Sequence, residues 1–174
     1  MFLEVEKIPP KGLELDLNIV INKVLLVEGR TEGPVKAHIK FKRKGDRVRA
    51  WGSVNAKIIL TCSRCAEEFP YTVDSSFNLH VLPIYYLSEG EISLEEGDMD
   101  TTFYREGKIA VERLISDQIN LSIPMKPLCK PDCKGICPVC GVNRNKMDCG
   151  HSEKIIDPRL SPLKTLLEVK NGTA

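Results

Sequence analysis

The sequence predicts an α+β fold: a mainly antiparallel β-sheet or partly open barrel with one packed helix, followed by a cysteine-rich segment and a short terminal helix. Three observations predict it. Apolar residues recur at every second position over much of residues 13–81, the period becomes helical between 108 and about 121, and five of the seven cysteines lie between Cys129 and Cys149. A length of 174 residues suits one domain with a small appendage. The division expected is a β-rich domain over 1–124 and a Cys/His tail over 125–174.

Leu13, Leu15 and Leu17 alternate with charged or polar residues, as do Val35, Ala37, Ile39 and Phe41. Val54, Ala56, Ile58 and Leu60 repeat the pattern just before Cys62. A period of two marks half-buried antiparallel strands. Lys44-Gly45-Asp46 reads as a hairpin turn. Phe69, Tyr71 and Val73, then Phe77, Leu79 and Val81, resume the alternation, so Cys62-x-x-Cys65 is expected at a hairpin tip. Residues Ser88 to Asp100 are acidic and read as a solvated loop, or as a charge complement to a basic partner. Val111, Leu114, Ile115, Gln118 and Ile119 fall on one face of a helix, which Pro124 and Pro127 stop. Ser161-Pro162 can cap a terminal helix with Leu163, Leu166 and Leu167 as its apolar face.

Lys plus Arg number 25 against 24 Asp plus Glu, a net charge of +1, which argues against a general polyanion binder while leaving room for local basic patches. No apolar run approaches the roughly 20 residues that span a membrane, so no membrane partner is expected. Met1-Phe2-Leu3-Glu4-Val5-Glu6 is acidic and lacks a basic region followed by an apolar one, which predicts no secretory signal and a cytoplasmic protein with reduced thiols.

Reduced cysteines at short fixed spacings point to metal binding. The second half reads Cys129-x3-Cys133-x3-Cys137-x2-Cys140-x8-Cys149-x-His151. Cys137-Pro-Val-Cys140-Gly141 has the chemistry of a zinc knuckle: two thiolates at i and i+3 reach one ion from the same side, and Gly141 lets amide hydrogens face the sulfurs. Cys149 and His151 would complete a tetrahedron suited to Zn²⁺. Cys62, Cys65, Cys129 and Cys133 would form a second four-sulfur site. A rival grouping joins Cys62 and Cys65 to Cys137 and Cys140, and a third arrangement holds one ion only. An iron–sulfur cluster is the competing cofactor, with His151 and the knuckle favouring zinc.

A catalytic zinc needs an open position for water, whereas every grouping here closes the site with four protein donors. The deaminase signature is absent, because Cys137 follows Ile136 and His80 lacks the accompanying Glu. Glu67 and Glu68 beside Cys65 read as surface carboxylates, and His38 and His80 as ordinary strand residues. A redox role for Cys62-x-x-Cys65 would require a reversible disulfide without metal. No nucleophile or base is assigned. A basic strip of Lys36, Lys40, Lys42, Arg43, Lys44, Arg47 and Arg49 reads either as a solvated hairpin face or as a contact for phosphates. Lys126, Lys130, Lys134, Arg144 and Lys146 form a second basic set, and Trp51 or Tyr85-Tyr86 can stack on bases or belong to a core edge.

These residues also carry a family likeness. Cys62-Ser-Arg-Cys65 after a strand, the amphipathic helix entering Pro124-Met-Lys-Pro-Leu-Cys129, Cys133-Lys-Gly-Ile-Cys137-Pro-Val-Cys140-Gly-Val-Asn143-Arg-Asn145 and Asp157-Pro-Arg159-Leu-Ser-Pro162-Leu occur in that order over residues 50 to 168. In this order the chain resembles the YceD family of large ribosomal RNA subunit accumulation proteins, formerly a domain of unknown function. One departure is His151, where the family often has a second Cys. The resemblance implies a non-enzymatic ribosome biogenesis factor needed for normal levels or processing of large-subunit (23S-type) rRNA. Its expected partners are that rRNA or pre-50S components, or a ribosomal or assembly protein. The alternative is a zinc-stabilised protein adaptor that touches no RNA.

Overall fold

A computed structural model describes residues 1–21, 25–85 and 100–151. Most of the acidic segment 88–100, Tyr86 and the helix expected after Ser161 lie outside the described residues. The chain divides into two compact units, Met1–Cys133 and Lys134 onward. The first holds β1 (Phe2–Glu4), a 3-10 turn (Val5–Lys7), β2 (Leu13–Ile19), β3 (Arg30–Thr31), β4 (Val35–Lys44), β5 (Arg47–Thr61), β6 (Glu68–Pro83), β7 (Thr101–Tyr104), β8 (Lys108–Ala110) and α1 (Val111–Ser122).

The period of two is realised strand by strand. Leu13, Leu15 and Leu17 of β2 stand opposite Phe41, Ile39 and Ala37 of β4, so one continuous apolar face forms. Val48, Ala50, Val54, Ala56, Ile58 and Leu60 of β5 and Val73, Phe77 and Val81 of β6 extend it, all buried. Gly45, at φ +67°, supplies the left-handed residue of the two-residue β4–β5 connection, and Lys44 pairs directly with Arg47. The strands order as β2-β4-β5-β6-β7, with β3 pairing the end of β5 beyond the reach of β4.

The barrel alternative does not form. The edge strands β2 and β7 do not pair with each other, so the sheet is open. Its apolar face is covered instead by α1, whose Val111, Leu114, Ile115 and Ile119 are buried in the same core as the strands, together with Val5, Ile8, Ile21 and Leu26. With a helix removing that face from water, nothing is gained by curling the sheet closed. β7 joins β6 in parallel, the exception in an otherwise antiparallel sheet. β1 pairs β8 as a separate two-stranded sheet, which is why the helix starts at Val111 and not at 108. The helix ends at Ser122, and Ile123 is extended (φ −75°, ψ 125°), the conformation that a following proline imposes. The side chain of Asn120 ties the loop before β3 to this end of the helix. Its Nδ2 donates to the Leu25 carbonyl at 3.0 Å, and its Oδ1 accepts from the Val27 amide at 3.0 Å.

Gly52 is the one inward-facing position of β5 that cannot carry a side chain. A Cβ there would stand 1.9 Å from the His38 carbonyl oxygen, because the backbone of the paired strand β4, with Ile39 directly opposite, lies close against Gly52. Gly52→Ala is therefore expected to destabilise the fold by about 3 kcal/mol. Chemical denaturation should show this as a lowered midpoint, with Ser53→Ala, on the exposed side of the same strand, within about 0.5 kcal/mol of the parent.

Candidate metal centres

The β5–β6 hairpin builds half of the first centre. Thr61 ends β5 and Glu68 opens β6, and the turn between them is closed by the Cys62 amide donating to the Glu67 carbonyl at 2.9 Å and the Ala66 amide donating to the Cys62 carbonyl at 2.9 Å. Ala66 takes φ +58° to make that turn. The stop of α1 brings the chain back across the tip. The Ser63 amide donates to the Pro127 carbonyl at 2.9 Å, and Arg64 Nη1 donates to the Cys133 carbonyl at 2.9 Å.

Cys62, Cys65, Cys129 and Cys133 thereby converge, with all four sulfurs within 4.8 Å of one another. Cys62 Sγ lies 3.8 Å from Cys133 Sγ, and Cys65 Sγ lies 3.7 Å from Cys129 Sγ. Both distances are far beyond the roughly 2.05 Å of a disulfide bond, and all seven cysteines are free. A tetrahedron with metal–sulfur bonds of about 2.3 Å has edges of about 3.8 Å. The four thiols are thus spaced for one ion. A multi-iron cluster sets its thiolates farther apart, because several irons lie between them. Phe69 and Leu128 pack around the sulfurs, and Cys62, Cys65 and Cys133 are buried.

The thiols differ in acidity. Burial works to raise the pKa of Cys62, but hydrogen bonds from the backbone at Cys129, Cys65 and Arg64 outweigh it and bring the pKa down to about 6. Cys129 is pushed up to about 12 by burial and by the crowding of the Cys133, Cys65 and Cys62 thiols. Four thiolates cannot share this space on their own; a divalent cation bound by them would remove the repulsion.

The second unit forms its own centre. The Gly141 amide donates to the Cys137 carbonyl and the Cys137 amide to the Val142 carbonyl, both at 2.8 Å, with Gly141 at φ +72°. A bridge between Ile136 and Asn143 closes the knuckle. Cys137, Cys140, Cys149 and His151 bring three sulfurs and an imidazole nitrogen within 4.8 Å of one another. Cys149 is lowered to about 7, chiefly by the backbone hydrogen bond from His151 and by the Cys137 thiol. Each centre draws its four donors from one unit, and Cys62 and Cys65 are not grouped with Cys137 and Cys140.

Sequence reasoning placed Arg144 in a basic surface set and missed its local task. Arg144 Nη2 lies 3.7 Å from Cys137 Sγ and also donates to the His151 carbonyl, so it offsets thiolate charge while tying the two ends of the knuckle. Asn143 Oδ1 accepts from the Asn145 amide at 2.9 Å, and Asn145 Oδ1 accepts from the Lys134 amide at 2.9 Å, which fixes the entry to the knuckle. The motif Asn143-Arg-Asn145 was the available signal. Lys130 approaches Asp132 at 3.8 Å. Glu68 receives both arms of the Arg30 guanidinium. His38 sits between Asp16 and Glu14, at 2.6 and 3.0 Å, and belongs to neither centre.

Comparison with known proteins follows the same residues. The family described as "Large ribosomal RNA subunit accumulation protein YceD" matches residues 51–167. An uncharacterized protein of Mycobacterium tuberculosis is 30% identical over 165 residues, covering 93% of this chain and 70% of its own length. A protein of Arabidopsis thaliana named "Large ribosomal RNA subunit accumulation protein YCED homolog 1, chloroplastic" is 31% identical over 159 residues, covering 78% of this chain and 49% of its own. The homolog of the same name from Zea mays is 29% identical, covering 75% of this chain and 53% of its own. The chain thus spans about half the length of these plant relatives. No solved structure matches it significantly.

The geometry predicts two equivalents of bound metal per chain by elemental analysis of reduced protein. Cys62→Ser with Cys65→Ser should remove one equivalent, and Cys137→Ser with Cys140→Ser the other. Loss of both equivalents from either pair would mean that the two groups form a single site.

Proposed function

Because the chain belongs to the YceD family of large ribosomal RNA subunit accumulation proteins, we propose that it is a non-enzymatic, zinc-binding ribosome biogenesis factor supporting the accumulation or processing of large-subunit (23S-type) rRNA. The observation that carries this reading is the coincidence of the family match, over residues 51–167, with two four-donor groups that both lie inside it. Thiolate and imidazole donors at tetrahedral spacing favour Zn²⁺. Four protein donors leave no place for a reacting water, so the ions are structural.

Structural zinc contributes on the order of 10 kcal/mol in small peptides. In the first centre the ion would fix the hairpin tip to the chain that leaves α1. In the second it would hold together a knuckle whose donors include the exposed Cys140 and His151. The product is a rigid display of side chains rather than a catalytic pocket. The partners proposed are large-subunit rRNA or pre-50S components, in the cytoplasm; the plant relatives named above are chloroplastic. Among the described residues no helix is long and apolar enough to cross a membrane. A second reading, a protein-only adaptor, draws on Val27, Leu121 and Met125, which are large apolar side chains open to solvent.

Depletion of the protein in its own cells is expected to lower mature 23S-type rRNA relative to the small-subunit rRNA, and RNA crosslinked to the protein in undepleted cells is expected to be enriched in large-subunit sequences. An unchanged ratio of the two rRNAs after depletion would overturn the function. A lowered ratio with no crosslinked RNA would select the adaptor.

A further inference from the structure

The solvent face of the sheet is not uniformly polar. Strand alternation places Lys42 and Lys44 of β4 on that face, with Arg47, Arg49 and Trp51 of β5 and His80 of β6. The register sets these residues directly opposite one another: Lys44 against Arg47, Lys42 against Arg49, and Arg49 in turn against His80. Like charges directly opposed across strands destabilise a sheet. Stability alone gives no reason to set Lys42 against Arg49 near the end of a hairpin in a chain of net charge +1.

Asp46, in the turn between Lys44 and Arg47, accepts from the Tyr85 hydroxyl at 2.5 Å. The acidic side chains of β2, Glu14 and Asp16, are taken by His38 and Lys40. No ion pair involves Lys42 or Lys44 among the described residues. Arg43, the odd member of the basic strip, turns to the other side of the strand and donates to the Val5 carbonyl at 3.2 Å, so it is structural. Trp51 lies beside this cluster, opposite Lys40 and Asn78, half-exposed on the central strand. The Arg49 guanidinium stands 5.8 Å from its ring centroid and is held by Asn78 Oδ1 at 2.8 Å. That is a cation beside an aromatic plane, fixed on a rigid strand.

We infer that this face, formed by Lys42, Lys44, Arg49, Trp51 and His80, binds single-stranded RNA, with the cations on successive phosphates and a base stacked on Trp51. Charge complementarity selects a polyanion. Same-face residues along a strand repeat every ~6.8 Å, a spacing that suits the phosphates of an extended strand. The flat, half-exposed ring selects an unpaired base over a duplex or an acidic protein surface. The inference rests on the rRNA reading above and names the surface through which it would act.

Trp51 is the single tryptophan of the chain, so its fluorescence reports the site directly. The test titrates zinc-loaded full-length protein with an unstructured single-stranded RNA oligomer at several salt concentrations. Expected are quenching of Trp51 emission and an affinity that falls steeply with salt. Lys42→Gln with Lys44→Gln should weaken binding at least about tenfold and reduce the log–log salt slope by about 1.4, near 0.7 per lost phosphate contact. Lys57→Gln, farther along β5, should change neither. Both lysines are exposed, so the double variant keeps the fold, and its denaturation midpoint checks this. Unquenched Trp51 with an unchanged slope in the double variant would overturn the inference, as would binding lost instead on Lys126→Gln with Lys134→Gln. Either result leaves the rRNA function standing if depletion still lowers 23S-type rRNA. Conversely, an intact rRNA ratio on depletion removes that function whatever Trp51 reports.

Discussion

Four thiols crowded into one corner are the constraint on which the first unit turns. With all four sulfurs within 4.8 Å of one another, and two pairs at 3.7 and 3.8 Å, they cannot ionise together, and as neutral thiols they would be a poor use of a buried corner. A divalent cation would resolve the conflict. It would allow every sulfur to be a thiolate and convert mutual repulsion into attraction to a common centre. The surrounding backbone is arranged for the charged form: amides at Arg64, Cys65 and Cys129 point at Cys62 and lower its pKa before any ion is added. The arrangement also links distant parts of the sequence. Cys62 and Cys65 come from the turn between two long strands, and Cys129 and Cys133 from the chain after the helix that covers those strands.

The sheet, its hairpins and the covering helix were legible because each follows a single period. Leu13, Leu15 and Leu17, or Val54, Ala56, Ile58 and Leu60, can be half-buried only as strands. Val111, Leu114, Ile115 and Ile119 share a face only on a helix. The choice between an open sheet and a partly open barrel was not legible, because closure depends on what covers the apolar face and not on any strand's own pattern. The β1–β8 pairing was invisible for a related reason: strands of three residues are too short to display a period. The parallel β6–β7 pair depends on a long connection that strand patterning does not address.

The cysteine groups were legible as spacing, but spacing alone left rival groupings open. What decides between them is the path of the chain: the hairpin tip and the stop of α1 meet, whereas Cys137 and Cys140 belong to a knuckle with its own partners. Arg144 shows the limit of reading charge in one dimension. In the sequence it is one of five cations between Lys126 and Lys146; in the fold it faces Cys137 and the His151 carbonyl. The hairpin strip splits in the same manner. Arg43 points inward to a carbonyl, while its neighbours Lys42 and Lys44 point out, and only alternation separates them.

If both groups are tetrahedra filled by the same ion, X-ray absorption at the zinc edge of purified protein should show it. Four-coordinate zinc is expected, with sulfur at about 2.3 Å as the dominant shell and a minor nitrogen contribution at about 2.0–2.1 Å, averaging one Cys₄ and one Cys₃His site. A spectrum dominated by oxygen, or by five- and six-coordinate zinc, would contradict it.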